Sequence, residues 1–390
     1  MVRFLYLHFL CTIAYKLHIH PLENKIAYVK GIRDIKNLDE NTLNSLREDF
    51  KKYPLLIFKD CKHICPETFL DFSKEFDLDA DLDALASPLE YQHQMLQPFD
   101  QFPDCKHVAP RGSITLKNYY NIKNIEVEPY EPFKTDYIWH SDILGHDYKL
   151  VHVVTAFYIV EQPLIGGDTD FISGERIYES LKTEEKLACE NILTEINRRK
   201  FVTGTMEQDY AGVNRLESYL EMDEGTNKIP IVYAPDDPAE SPRVLVLPTF
   251  FEKVNGWTVS NSRKWMQNFM TEKVLPHRIS IQWQKNDLAI FNNRRWIHSS
   301  TPANEYIKNQ NGPTRFLMQT FIPTKKPLKA IIPDPKNAYA CYNSKWINDQ
   351  EVSIISAHNM IKHANSIIEN GAKTFENTYE YRVKPNSTLF

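Results

Sequence analysis

Trp139-His140-Ser141-Asp142 carries two metal-ligating side chains two positions apart. In an extended segment, residues i and i+2 project to the same face. The imidazole of His140 and the carboxylate of Asp142 can therefore grip one ion. Tyr137 and Ile138 lead into the segment and turn-prone Leu144-Gly145 follows it, which predicts a strand. A third ligand is available at His298, 158 positions downstream of His140 and close behind Phe291-Asn292-Asn293-Arg294. Two histidines and one carboxylate form the facial triad of non-haem Fe(II) oxygenases, which leaves three positions of an octahedral ion open. The triplet alone is weak: with 13 His and 51 acidic residues in 390, chance supplies roughly one or two His-x-Asp/Glu triplets.

Further residues in the same order strengthen it. Gly166-Gly167 makes a turn between strands and is followed by Asp168-Thr169. Arg315 stands 17 positions after His298, at the edge of a predicted strand over Phe316–Ile322. Its planar fork can bind a carboxylate through two parallel hydrogen bonds, which a lysine cannot do. Alone, Arg315 would read as a surface salt bridge and Thr169 as a common turn residue.

Taken together, Trp139-His140-Ser141-Asp142, Gly167-Asp168-Thr169, Phe291-Asn292-Asn293-Arg294 with His298, and Arg315 resemble the signature of the taurine dioxygenase-like (TauD/TfdA) family. The resemblance runs from about Lys16 to Pro323. It implies an Fe(II)- and 2-oxoglutarate-dependent dioxygenase that hydroxylates a C–H bond with O2 and releases succinate and CO2. His140, Asp142 and His298 are then the iron ligands and the catalytic centre, and Thr169 and Arg315 hold the distal carboxylate of 2-oxoglutarate.

The substrate is expected to be a small polar molecule. In the taurine enzyme of this family a second arginine, four residues after the carboxylate-binding one, grips the sulfonate; here that position is Gln319. The loss of charge argues against a sulfonate, or against the same grip. Asp136, four residues before His140, matches an amide that faces the substrate in the taurine enzyme, and an inward Asp136 would suit an ammonium or ring N–H donor. Gln319 with Gln92 or Gln94 could instead read a flat polar heterocycle through amide hydrogen bonds. The fungal xanthine hydroxylases of the superfamily also place a glutamine four residues after the arginine. A taurine- or xanthine-type hydroxylase thus stands as an alternative, as does a cupin-like protein that binds a metal or small acid without turnover. A protein hydroxylase would need an open peptide groove.

The elements that must position these residues are mostly strands. Lys16–His20, Ile26–Val29, Leu55–Phe58, Ser113–Leu116, Val151–Val160, Val244–Leu247, Ile279–Trp283, Leu288–Phe291 and Phe316–Ile322 carry strand signals. Helices are expected over Glu40–Lys52, from Pro66 through Phe69, Phe72 and Phe76, over about Glu175–Leu193, and over Ser262–Val274. The expected fold is mainly β with flanking helices around a double-stranded β-helix, a jelly roll of the cupin type.

Composition sets the bounds. The 390 residues are 42% hydrophobic and 25% charged, with a net charge of −5, so no nucleic-acid partner is expected. Six scattered cysteines include Cys61 and Cys65 at a zinc-compatible spacing, without a second pair to complete a site, and read as free buried thiols. Residues 1–15 form an apolar extension, read either as an extra strand or start-site extension, or as a signal peptide ending near Thr12-Ile13-Ala14. The run is too short to span a bilayer, and no other run of 18 apolar residues occurs. The dioxygenase domain is placed at residues 16–325. Residues 326–390 form a C-terminal extension in which Ile354, Ala357, Ile361, Ala364 and Ile368 mark an amphipathic helix, suited to packing on the barrel or to a homo-oligomer contact. A cytoplasmic protein is expected, since Fe(II) and 2-oxoglutarate are abundant there; cleavage of the apolar start and the sequon at Asn386-Ser387-Thr388 would instead favour the secretory pathway.

Overall fold

Leu55-Leu56-Ile57-Phe58 is apolar without alternation because the strand it forms is buried on both faces. In the computed structural model, Leu55 and Ile57 point to one hydrophobic cluster, and Leu56 and Phe58 to another. The strand Leu288–Asn292 repeats this, with Ala289 and Phe291 on the first side and Leu288 and Ile290 on the second. The structure describes residues 15–62, 64–82, 102, 105, 107–112, 139–142, 152–163, 166–196, 227–237, 240–248, 251–301, 315–324, 326, 328 and 331. The expected N-terminal extension and the amphipathic C-terminal helix lie outside them, as do Gln92, Gln94, Asp136 and the strand expected at Ser113–Leu116.

Fifteen strands are found among the described residues: β1 (Lys16–His20), β2 (Glu23–Lys30), β3 (Leu55–Phe58), β4 (Val108–Gly112), β5 (Val154–Glu161), β6 (Thr169–Ser173), β7 (Leu193–Ile196), β8 (Asn227–Pro230), β9 (Val232–Tyr233), β10 (Arg243–Val244), β11 (Phe251–Val254), β12 (Ile279–Ile281), β13 (Leu288–Asn292), β14 (Trp296–Ser300) and β15 (Phe316–Ile322). The main sheet has the order β1-β2-β3-β13-β5-β15-β4, and a second sheet the order β12-β6-β14. β7 is paired on its two sides by β11 and β8, and β9 pairs with β10. Every pairing is antiparallel except β2 with β3. Phe157, Ile159, Phe171, Trp283, Phe291, Trp296 and Leu317 pack in the cluster between the main and second sheets. This is the jelly roll, mainly β with flanking helices.

Two helices cover the other face of the main sheet. Asp39 caps the helix Glu40–Lys52 by accepting from the Thr42 N–H at 2.9 Å, and Leu46 and Phe50 are buried beneath it. Pro66 opens the helix Pro66–Lys74, whose Phe72 meets Phe58 edge-to-face at 5.3 Å between ring centroids. The expected helix over Glu175–Leu193 divides into Gly174–Ser180 and Thr183–Glu190, and Leu193 already belongs to β7. The expected helix at Ser262–Val274 starts at Val259 and becomes a π-helical turn over Met270–Val274. Strand geometry at Val244–Leu247 is confined to Arg243–Val244. Cys61, Cys105 and Cys189 are buried free thiols, but Cys65 is exposed. Among the described residues, no helix is long and apolar enough to cross a membrane.

Candidate active site

β14 carries His298 and lies in register against β6, with His298 opposite Phe171. His140 joins the same edge through an isolated bridge, in which its N–H donates to the His298 carbonyl at 3.0 Å and the His298 N–H donates back at 2.8 Å. A bridge rather than a full strand therefore presents the His140 side, and residues 137 and 138 fall outside the described residues. The two imidazole centroids are 4.4 Å apart. Asp142 completes the group: its Oδ1 is 3.4 Å from His140 Nε2 and its Oδ2 is 3.6 Å from His298 Nε2. One ligand atom from each of the three residues lies within 4.8 Å of the others.

Asp142 is clamped by groups far away in the chain. The Asn293 side chain accepts from the Asp142 N–H at 2.8 Å and donates to the Asp142 carbonyl at 2.7 Å. Ser141 Oγ donates to the Trp296 carbonyl at 3.0 Å. On β5, Thr155 Oγ1 donates to Asp142 Oδ2 at 3.1 Å and lies 2.6 Å from His152 Nε2. Because the threonine proton goes to the carboxylate, His152 must be the donor to Thr155, through an Nε2–H tautomer. A chain of donors thus ends on the ligand carboxylate and fixes which way it faces. Replacing Thr155 by valine keeps the volume and breaks the chain, and metal affinity should fall about 10–100-fold in a chelator competition assay. Unchanged affinity would mean that Asp142 is held by Asn293 alone.

The electrostatics favour the ligand form. Burial pushes His298 and His152 down to about 3 from an ordinary value near 6.5, partly opposed by the Asp142 charge. Asp142 is held below the usual carboxylate range: burial raises it, but the pull of the neighbouring imidazoles and the hydrogen bond with His140 outweigh that. Near neutral pH the carboxylate is ionised and His298 is neutral, as metal binding requires. Both histidines have folded values below their unfolded ones, so the unfolded chain binds more protons between about 3 and 6.5 and stability rises with pH across that window. Taking the metal-free protein from pH 7 to pH 5 should cost about 2 kcal/mol per buried imidazole, read as a lower urea midpoint. An unchanged midpoint would contradict the buried neutral state.

A second polar group sits along the same barrel. Thr169 Oγ1 accepts from Arg315 Nη2 at 3.1 Å and from Trp283 Nε1 at 2.9 Å. Burial lowers the Arg315 guanidinium to about 10, against the opposing Asp168 charge, and its buried Nε has no hydrogen-bond partner among the described residues. Gly167, at φ +72°, lets the turn pass close by: a Cβ there would lie 2.9 Å from Gln162 Nε2 and 3.3 Å from Arg315 Cδ. Four residues along β15 from Arg315, on the same face, stands Gln319, whose Oε1 accepts from Arg111 Nε at 3.2 Å.

The structure therefore brings together His140, Asp142 and His298, pairs Arg315 with Thr169, and sets Gln319 on their side of the sheet. Sequence reasoning passed over Thr155, His152, Trp283 and Arg111, and quoted Asn293 without a role. Of these only Asn293 left a signal, as part of Phe291-Asn292-Asn293-Arg294.

The family described as taurine catabolism dioxygenase TauD, TfdA family matches residues 19–320. The chain belongs to this family. As a TauD/TfdA member it is a 2-oxoglutarate-dependent dioxygenase, an oxidoreductase that uses a metal and acts on a small-molecule substrate. Among curated proteins it is similar to the alpha-ketoglutarate-dependent xanthine dioxygenase xan1 of Schizosaccharomyces pombe, at 22% identity over 336 residues, covering 69% of this chain and 79% of the relative. Among solved structures, a taurine dioxygenase from Burkholderia xenovorans superposes with a TM-score of 0.55 at 15% identity, covering 83% of this chain and 97% of the other. AAD-2 in complex with Mn(II) and N-oxalylglycine gives a TM-score of 0.56 at 14% identity, covering 80% and 99%. These likenesses establish the jelly-roll fold of the family.

Proposed function

We propose that this TauD/TfdA enzyme is an Fe(II)-dependent hydroxylase of a small polar molecule, consuming O2 and 2-oxoglutarate. His140, Asp142 and His298 hold the iron, and Arg315 with Thr169 binds the distal carboxylate of 2-oxoglutarate. The observation that carries the reading is the convergence of two imidazoles and a carboxylate within 4.8 Å, on the same barrel face as the half-buried Arg315. That donor set suits Fe(II), and the buried Nε of Arg315 suits a carboxylate.

When bound, the iron supplies the oxidative decarboxylation of 2-oxoglutarate and the hydroxylation coupled to it. The protein's own groups do the remaining work. Thr155 and Asn293 orient Asp142, and Thr155 also keeps one carboxylate oxygen occupied by a hydrogen bond. Trp283 donates to Thr169, so the hydroxyl already accepts two hydrogen bonds and turns its own proton toward the co-substrate. Phe157, Phe171 and Phe291 surround the His298 ring at centroid distances of 6.1, 5.9 and 5.2 Å and exclude water from that side.

Anaerobic addition of Fe(II) and 2-oxoglutarate should give a weak visible charge-transfer band, and a His140→Ala variant should lose it. Retention of the band and of turnover in that variant would refute the ligand assignment. A second reading makes the substrate an oxidised purine such as xanthine. Its support is the fission-yeast relative together with Gln319, four residues after the arginine as in the fungal xanthine hydroxylases. Succinate formation that depends on xanthine but not on taurine would favour it. Metal binding without any succinate would favour a binding protein.

A further inference from the structure

The turn between β13 and β14 carries Asn293, which grips the backbone of Asp142, and leads directly into the strand that carries His298. Arg295 is the last residue of that turn. Its Nε pairs with Glu175, and its Nη1 donates to the Lys51 carbonyl at 2.9 Å and to Glu240 Oε1 at 2.8 Å. The Arg295 carbonyl accepts from the Gly174 N–H at 2.9 Å. One residue thus ties the turn to the end of the helix Glu40–Lys52, to the start of the helix Gly174–Ser180 and to the stretch leading into β10. The Lys51 carbonyl lies in the last turn of its helix, where the helix itself supplies no donor, and the guanidinium provides one.

Buried charge of this kind contributes little net stability. Arg295 and Glu175 are 3% and 2% exposed, and a buried ion pair is often no more stabilising than apolar residues of similar volume. What it provides is direction, because a planar fork held by Glu175, Glu240 and the Lys51 carbonyl is fixed in orientation as well as position. The Asn293 amide depends on orientation: it accepts from the Asp142 N–H at 2.8 Å and donates to the Asp142 carbonyl at 2.7 Å, so a small rotation of the turn disturbs both bonds. The turn is held at its first residue by the Asn293 N–H, which donates to the Val153 carbonyl at 2.7 Å, and at its last by Arg295. We infer that Arg295 is a positioning residue for the metal centre, fixing the turn from which Asn293 orients Asp142. The inference rests on the ligand set proposed above and adds a residue that acts on it through Asn293.

The test measures Mn(II) affinity of the full-length protein by competition with a chelating dye, beside the melting temperature of the metal-free form. Arg295→Met should weaken Mn(II) binding about 10-fold, the low end of what losing an outer partner of a ligand costs. It should also lower the melting temperature, because Glu175 keeps a buried charge with Lys25, at 3.1 Å, left to oppose it. Arg295→Lys keeps the charge without the fork and should recover part of the affinity. Arg295→Met combined with Glu175→Gln removes both charges. That double variant should regain most of the lost melting temperature and keep the weakened Mn(II) binding. Its anaerobic band with Fe(II) and 2-oxoglutarate should also move in wavelength, which a loss of stability alone does not cause. The inference is overturned if the double variant binds Mn(II) as tightly as wild type, or if Arg295→Met loses stability but no affinity. Either result makes the cluster a structural ion pair. Should neither variant fold, Arg295→Lys carries the test, and wild-type affinity in it overturns the inference. Wild-type protein that binds no Mn(II) would overturn the ligand assignment, and this inference with it.

Discussion

His298→Ala should abolish substrate-coupled succinate formation, by about 10³-fold or more, and leave a protein that loses its metal to a chelator. The effect is large because three ligand atoms within 4.8 Å would hold the ion and two cannot define the same face. The variant should still fold. The lost ring leaves a cavity against Phe157, Phe171 and Phe291, worth about 2–4 kcal/mol. The backbone pairing of β14 with β6 does not depend on that side chain. Metal content of the purified protein, set beside its thermal melt, separates the two effects. A folded variant that keeps both stoichiometric metal and turnover would remove His298 from the ligand set.

Arg315→Met should raise the KM for 2-oxoglutarate about 10²–10⁴-fold, with a smaller effect on the KM for the substrate. Two charge-assisted hydrogen bonds in a buried setting are each worth about 1.5–3 kcal/mol, which sums to that range. Part of the loss comes from Asp168, whose carboxyl loses the charge that opposes its burial. Arg315→Lys keeps the charge but not the fork and should recover only part of the affinity. Titration of 2-oxoglutarate followed by succinate release is the measurement. A KM for 2-oxoglutarate unchanged in both variants would place the co-substrate's carboxylate elsewhere.

The strands and helices that can be read from the chain are those whose own residues settle the matter. The helix Glu40–Lys52 was legible because Leu43, Leu46 and Phe50 repeat on one face and Pro54 ends it. β15 was legible as a run of apolar residues interrupted by Gln319 and Thr320. β7, β8 and β11 were not, since four-residue strands such as Leu193–Ile196 and Asn227–Pro230 acquire their identity only from each other. β4 was missed at Val108–Gly112 because it contains Pro110, tolerated here at the sheet edge. The site divides the same way. His140 and Asp142 share a local pattern, and Arg315 has a chemistry of its own. Arg111 meets Gln319 across 208 positions through the β15–β4 register, and Asn293 meets Asp142 across 151 from the turn between β13 and β14. Short-range periodicity holds no record of them.

The reciprocal backbone bonds between His140 and His298 bear on how the enzyme trades one metal for another. Their spacing is set by this two-bond bridge, so loading the ion should need no folding step there and produce little change in heat capacity or circular dichroism. Mn(II), Co(II) or Ni(II) would enter the same rigid seat, leaving cellular supply and redox chemistry, rather than any movement of the polypeptide, to decide which ion makes a working catalyst.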